Sequence, residues 1–286
     1  MSQTRPIKRV AAIHDISGVG KCSLTVALPI ISAAGIECSV LPTAVLSTHT
    51  GGFSGFTFRD LTDDMRPIAA HWQKEGIKFD AFYSGYLGSL AQIDIVRDIF
   101  EMFRSADTLV MVDPVMADDG KLYSLFTMDH VKGMAKLCGH ADIIVPNRTE
   151  AAFMLGREYK GGSMTTAEVD ELLHALAGLG AKKTVLTGIH FGDDDLGAAC
   201  HDVATGQIDY VMDKRIAGMY HGSGDVFASF LLGALLKGRE LAAATRLAVD
   251  YTCASIKLTA ADGTGPRMGV RFESVLADYG AATRTG

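Results

Sequence analysis

Gly222-Ser223-Gly224-Asp225, set directly before a strongly apolar run, is the stretch of this chain best equipped for chemistry. Free backbone amides at a helix start attract phosphate, and glycine lets the anion come close. A carboxylate there would repel a bound phosphate unless it worked on the attacking group. Asp225 therefore reads either as the residue that orients an alcohol and accepts its proton, or as a plain helix cap. Asp113, in Asp113-Pro114-Val115, ends a continuous apolar run, where a carboxylate could meet a metal directly or through water. Glu150, in Asn147-Arg148-Thr149-Glu150, has capping-box spacing and could also face a hydrated Mg2+, and one residue can do both. Asp118 and Asp119 stand a few residues beyond Asp113, next to Gly120.

Gly18-Val19-Gly20-Lys21 invites a mononucleotide-loop reading, but that motif needs glycine where Asp15 stands and Ser or Thr where Cys22 stands. The dinucleotide pattern is incomplete too, with no glycine or alanine at position 23. His14 and Asp15 are better read as rim residues that contact a substrate. His49 and Thr50 follow Ser47 and Thr48, a group of neutral donors suited to a ring nitrogen or phenolic oxygen, and Tyr86 could stack on such a ring. Ordinary loop polarity explains the same residues. His14, His49 and His221 lack metal-ligand spacing, so zinc is not favoured.

These residues need a scaffold that gathers them. Apolar runs alternate with helical patterns: strands at 8–13, 36–41, 79–84, 108–112, 143–145 and 184–187, and helices at 23–34, 64–75, 90–104, 129–138, 147–155, 224–236 and 240–258. Ser89 is placed to cap one helix, and Thr165 with Glu168 has the spacing of a capping box before another. Residues 197–203 and 207–212 read as an edge hairpin around Thr205-Gly206, and 272–279 as a weaker terminal helix. Residues 42–58, rich in Ser, Thr, Gly and Phe, have no clear period and suggest a loop or irregular strand pair leaving the core. The order is that of a doubly wound α/β sheet in one domain over residues 1–286, whose right-handed crossovers would place Asp15, Gly85-Tyr86, Asp113 and Thr187-Gly188 on one rim.

Composition narrows the partners. A net charge of −6 with no basic stripe argues against nucleic acid or an anionic membrane, yet a nest of amides with one metal ion could still hold a small phosphate ligand. No apolar run reaches membrane-span length, and the polar start from Met1 does not read as a signal peptide. Five cysteines, odd in number and widely spaced, fit reduced thiols in the cytoplasm.

Five motifs in order, Ser47-Thr48-His49-Thr50-Gly51, Ser84-Gly85-Tyr86, Asp113-Pro114-Val115-Met116, Pro146-Asn147-Arg148-Thr149-Glu150 and Gly222-Ser223-Gly224-Asp225, resemble the ribokinase-like superfamily and, within it, the pyridoxal/pyridoxamine kinases. The resemblance runs from about Arg9 to Leu258. It implies a three-layer α/β/α sandwich with a mostly parallel sheet, a homodimer, and transfer of the ATP γ-phosphoryl to the 5′-hydroxymethyl of pyridoxal, pyridoxamine or pyridoxine. It also implies that Asp225 is the base, that Gly222, Ser223 and Gly224 form an anion hole, and that Asp113 and Glu150 help place Mg2+. Asn147 and Thr187 would meet nucleotide phosphate together with Glu150 and Gly224. Asp118 and Tyr123 would lie in the segment that contacts or covers ATP. Asp15, Ser47, His49, Thr50 and Tyr86, with Asp225, would line the acceptor pocket, residues 42–58 forming part of it or a dimer-side extension. A K+ ion beside the anion hole is implied as well. Asp15-Ile16-Ser17-Gly18 is similar instead to the hydroxymethylpyrimidine kinases of the same superfamily, where an acid would suit an amino substituent or protonated ring nitrogen. That kinase of thiamine synthesis is the first alternative, a sugar kinase suits the His49/Tyr86 group less, and a nucleotide-binding regulator without catalysis is the remote one.

Overall fold

The computed structural model describes residues 7–263 and 266–284; most of the polar start lies outside them. In chain order the elements are β1 (Arg9–Val19), α1 (Leu24–Ala33), β2 (Glu37–Thr48), β3 (Phe58–Asp60), α2 (Thr62–Lys74), β4 (Ala81–Ser84), α3 (Leu90–Phe103) and β5 (Leu109–Val112). The small strands β6 (Ala117–Asp118) and β7 (Lys121–Leu122) follow, then α4 (Met128–Cys138), β8 (Ile143–Ile144), α5 (Arg148–Met154), α6 (Thr166–Ala177), β9 (Lys183–Ile189), β10 (Asp195–Asp202) and β11 (Gln207–Lys214). Helices α7 (Ser223–Leu236), α8 (Leu241–Asp262) and α9 (Leu276–Thr283) complete the described chain.

Nine strands form one sheet in the order β11-β10-β9-β8-β5-β4-β1-β2-β3. The six from β9 to β2 run parallel, and β3, β10 and β11 add antiparallel edges. Side chains alternate across the strands and so feed two cores. Val10, Ala12, Tyr83 and Met111 pack with α1, α7, α8 and α9, while Ala11, Ile13, Phe82 and Val110 pack with α2 to α6. The result is the expected helix–sheet–helix sandwich with its mostly parallel centre. Helix α7 is buried on nearly every side, which explains its lack of a polar face.

The local signals at 89, 147 and 165 form as expected. Ser89 accepts from the Gln92 amide, and Asn147/Glu150 and Thr165/Glu168 make reciprocal capping boxes. One strand runs further than the sequence reading has it. Strand β1 runs on to Val19 through an irregularity between His14 and Ile16, paired along its length with β2, so His14 and Asp15 lie within a strand and not in a loop. Glycine and serine obscured the period there. Residues 42–58 contain both features expected of them, a strand pair made by the end of β2 with β3, and a loop over 49–57 between the two; the pair lies at the sheet edge. Unforeseen, too, was the β6–β7 hairpin that carries Asp118. Its turn is Asp119-Gly120, both at positive φ, a signal the sequence does contain.

Candidate active site

Strand β1 lies between β2 and β4, so consecutive strands depart to opposite sides of it. A crevice opens at such a switch point, beyond the strand ends, and ligands of open α/β sheets bind there. Asp15 stands in this crevice, only 6% exposed. The Ser23 hydroxyl donates to its Oδ1 at 2.6 Å and the Ser17 hydroxyl to its Oδ2 at 3.2 Å. Burial raises the proton affinity of Asp15, and the two hydroxyls pull it back.

Asp225, in the first turn of α7, lies near Asp15. Burial pushes its pKa up to about 7, the Ser23 amide acts against that rise, and the charge of Asp15 adds to it. An exposed aspartate would sit near 4, which is what the sequence alone suggests for Asp225. Buried Asp113 is held well above the usual carboxylate range by desolvation first, then by Glu150 and Asp225. Burial drives Glu150 up to about 8 against the amides of Asn147, Met116 and Ala117. Its Oε1 accepts from the Met116 amide at 3.1 Å and its Oε2 from the Asn147 amide at 2.9 Å. Glu150 thus caps α5 and fastens the Asp113–Ala117 segment to it.

These acids crowd together and raise one another's proton affinity, which makes the corner suited to a divalent cation. Among the described residues no three His, Cys, Asp or Glu side chains converge as a metal cage. That arrangement fits Mg2+, which takes most of its ligands from water and nucleotide phosphate and needs only one or two carboxylates.

The start of α7 supplies amides. Gly222 caps it with φ 76°, and a Cβ there would overlap the Lys21 carbonyl oxygen, so glycine is required twice over. Ser223 N–H, expected to be free, donates to the Tyr220 carbonyl at 3.3 Å. The amides of Gly224 and Asp225 remain without intrahelical partners by helix geometry. A Cβ on Gly224 would meet nothing within 4 Å, so space is open in front of them.

The remaining predicted residues surround this corner unevenly. The aromatic ring of Tyr86 is half-buried, 5.4 Å from that of Phe126, and its hydroxyl is pushed up to about 12 by burial and then by Asp15 and Asp60. His49, predicted to offer a ring nitrogen to a ligand, has none free. Its Nε2 lies 2.7 Å from the Arg267 carbonyl, and its Nδ1 accepts from the Gly51 amide at 3.0 Å. Nδ1 is therefore the bare nitrogen and Nε2 carries the proton, so His49 clasps the 49–53 loop to the segment after α8 and can meet a ligand only through carbon. Ser47 and Thr50 are exposed, and the Ser47 oxygen accepts from the Thr57 amide.

On the other flank, the Asn147 amide group is tied at both ends, its oxygen to Glu150 N–H and its nitrogen to the Ala117 carbonyl at 2.8 Å. One N–H is left for a ligand. Thr187 bridges to Asn147 at the end of β9. Asp118 is exposed on the β6–β7 hairpin, which Thr149 holds through the Gly120 amide at 3.0 Å. Tyr123 is 43% exposed; desolvation of its hydroxyl, then the charges of Glu150, Asp118, Asp113 and Asp225, raise its pKa.

Ser23 and Tyr83 escaped the sequence reading. Tyr83 is fully buried, its hydroxyl beside Ser229 and within reach of the charges of Asp113 and Asp225. Neither has a local signature, because their partners lie across the sheet or on another element.

The family model for phosphomethylpyrimidine kinase matches residues 29–269. Pyridoxal kinase of Arabidopsis thaliana is 27% identical over 230 residues, 77% of this chain and 71% of the relative. A presumed phosphomethylpyrimidine kinase of Bacteroides thetaiotaomicron, crystallised with pyridoxal, is 38% identical and superposes with a TM-score of 0.90 over 96% of each chain. Pyridoxal kinase of Lactobacillus plantarum is 33% identical with a TM-score of 0.89, covering 97% of this chain and 98% of that one.

Proposed function

Since the chain belongs to the phosphomethylpyrimidine kinase family of the ribokinase-like superfamily, we propose that it phosphorylates the 5′-hydroxymethyl group of a vitamin B6 ring with ATP. One observation carries the reading: Asp225, with a pKa near 7, adjoins partner-free helix-start amides beside a buried group of acids. In the reaction the acceptor oxygen forms a bond to the γ-phosphorus while the bond from phosphorus to the β–γ bridging oxygen breaks. The electron pair leaves with ADP, and the acceptor proton passes to Asp225. The amides of Gly224 and Asp225 face the charge that builds on the travelling phosphoryl, and most of the rate comes from this placement. Asp113, directly or through water, and Glu150, through water, would hold Mg2+, which supplies charge neutralisation to the phosphates. Tyr123 and Asp118 cover the nucleotide side; Tyr86 and Asp15 face the ring.

The pyridoxal seen with the Bacteroides relative supports a pyridine acceptor. The buried acid Asp15 favours keeping a second reading, an aminopyrimidine acceptor, as the family description also does. Side-by-side turnover with Mg2+-ATP and pyridoxal, pyridoxine, pyridoxamine or hydroxymethylpyrimidine decides. A kcat/KM for the pyrimidine above those of all three vitamers overturns the B6 reading, and ATP binding with no transfer to any acceptor overturns the kinase. The same assay in K+ and Na+ salts reads the monovalent-ion requirement. The proposed enzyme is a cytoplasmic homodimer, a setting supported by five cysteines without disulfides. Among the described residues no helix is long and apolar enough to cross a membrane.

A further inference from the structure

We propose that Ser23 is a positioning residue that holds the ring-facing carboxylate of Asp15 and the base Asp225 in fixed relation, an inference that rests on the kinase reading above. Ser23 is buried, hydrogen-bonded to Asp15, and follows the Lys21-Cys22 turn that packs against Gly222 at the start of α7, where Asp225 stands. Its hydroxyl donates to Asp15 Oδ1 at 2.6 Å, and its backbone amide acts on the Asp225 carboxylate. It does so from a backbone conformation, φ 54° and ψ −128°, that side-chain-bearing residues rarely adopt. Rotation about φ sets the angle between the N–H and the Cα–Cβ bond. The unusual φ is therefore what lets one residue aim its amide at one acid and its hydroxyl at another.

The surrounding turn is braced on several sides, which accounts for the survival of this strain. A Cβ on Gly222 would overlap the Lys21 carbonyl, and one on Gly269 would come within 2.7 Å of the Lys21 side chain. Lys21 Nζ pairs with Glu273 at 2.9 Å, and the His49 ring fills the space over Gly20. Ser23 itself bridges back to Ile16, one residue past Asp15. The turn from Gly20 to Ser23 is thus wedged between the acceptor side of the crevice and the mouth of α7. Binding of a ring at Asp15 is transmitted through Ser23 to the orientation of Asp225.

The test compares S23G, S23A, D15N and the S23G/D15N double variant. Glycine tolerates φ 54° and keeps the amide, whereas alanine loses the anchoring hydroxyl and is driven to relax to negative φ, turning the amide away. Both Ser23 variants should raise the acceptor KM on the order of tenfold, the loss expected for one hydrogen bond to a charged group. S23A alone should also lower kcat. The KM increases of S23G and D15N should not multiply in the double variant. Wild-type KM and kcat in S23G, equal kcat for S23A and S23G, or fully multiplicative effects in the double variant would overturn the proposal. Should S23A fail to fold, S23G and the double variant still decide it through KM. A wild-type chain that transfers phosphate to no acceptor defeats the kinase reading instead, so the two failures are distinct.

Discussion

Asn147 and Glu150 grip each other across the first turn of α5, with the Glu150 amide donating to Asn147 Oδ1 at 2.9 Å and the Asn147 amide donating to Glu150 Oε2 at 2.9 Å. A structural cap and a metal-facing carboxylate therefore coincide in one side chain, and substitution separates them. Glutamine also serves at this capping position, but its NH2 would face one of the two amide donors that Glu150 accepts from, so E150Q should keep the cap, melt somewhat below the wild type, and require more Mg2+ for activity. E150A should lose the cap as well, by about 1 kcal/mol, and unfold at lower temperature. Melting curves and Mg2+ titrations of the two variants check this; equal Mg2+ dependence in E150Q would leave only the cap.

Asp225 governs two pH dependences. As the base, it must be unprotonated, so kcat/KM should rise with pH through about 7. D225N should lose at least about 10²-fold in turnover. Its folded-state pKa lies above the reference value, so its contribution to stability is complete below about 4 and is lost as pH rises through about 7. Asparagine imitates the protonated form. D225N should therefore melt above the wild type at pH 8 and coincide with it near pH 4.

Gly222 and Gly224 should answer alanine differently. G222A meets both a positive φ and the Lys21 backbone, and the φ alone costs about 1–2 kcal/mol. It should lower both the melting temperature and the turnover. G224A sits within a helix where nothing crowds a Cβ, so stability should hold or improve. Its methyl would stand where phosphate approaches, and turnover should still fall by about 10²-fold. Full activity in G224A would remove the phosphoryl group from this corner.

His14 should make the fold acid-sensitive. It is fully buried against the Tyr83 ring, with neither ring nitrogen hydrogen-bonded, and burial lowers its pKa to about 3. The unfolded chain takes up a proton near pH 6.5 that the folded chain refuses. Stability is therefore lost as pH falls from about 6.5 towards 3. Asp225 and Glu150 push the other way over the upper part of this range, so the difference between wild type and H14L is the useful quantity. H14L should lose less melting temperature than the wild type between pH 7 and pH 4.5.

Local interactions were readable from the chain alone. Helix caps at Ser89, Asn147 and Thr165 depend on residues three apart, and the buried strand before Asp113 and the apolar helix after Asp225 depend on composition within a short window. That was enough for the layered α/β architecture and for the acids and glycines at its rim. Only the tertiary structure decided how those residues act. Burial raised the pKa of Asp225 to about 7, the His49 ring found the carbonyl of Arg267, 218 residues away in sequence, and Ser23 met Asp15 only because the chain turns back after β1 to bridge Ile16. Proton affinity depends on the whole local dielectric and charge, and a hydrogen bond between distant residues depends on where the sheet brings them; neither quantity is encoded in any short stretch of sequence.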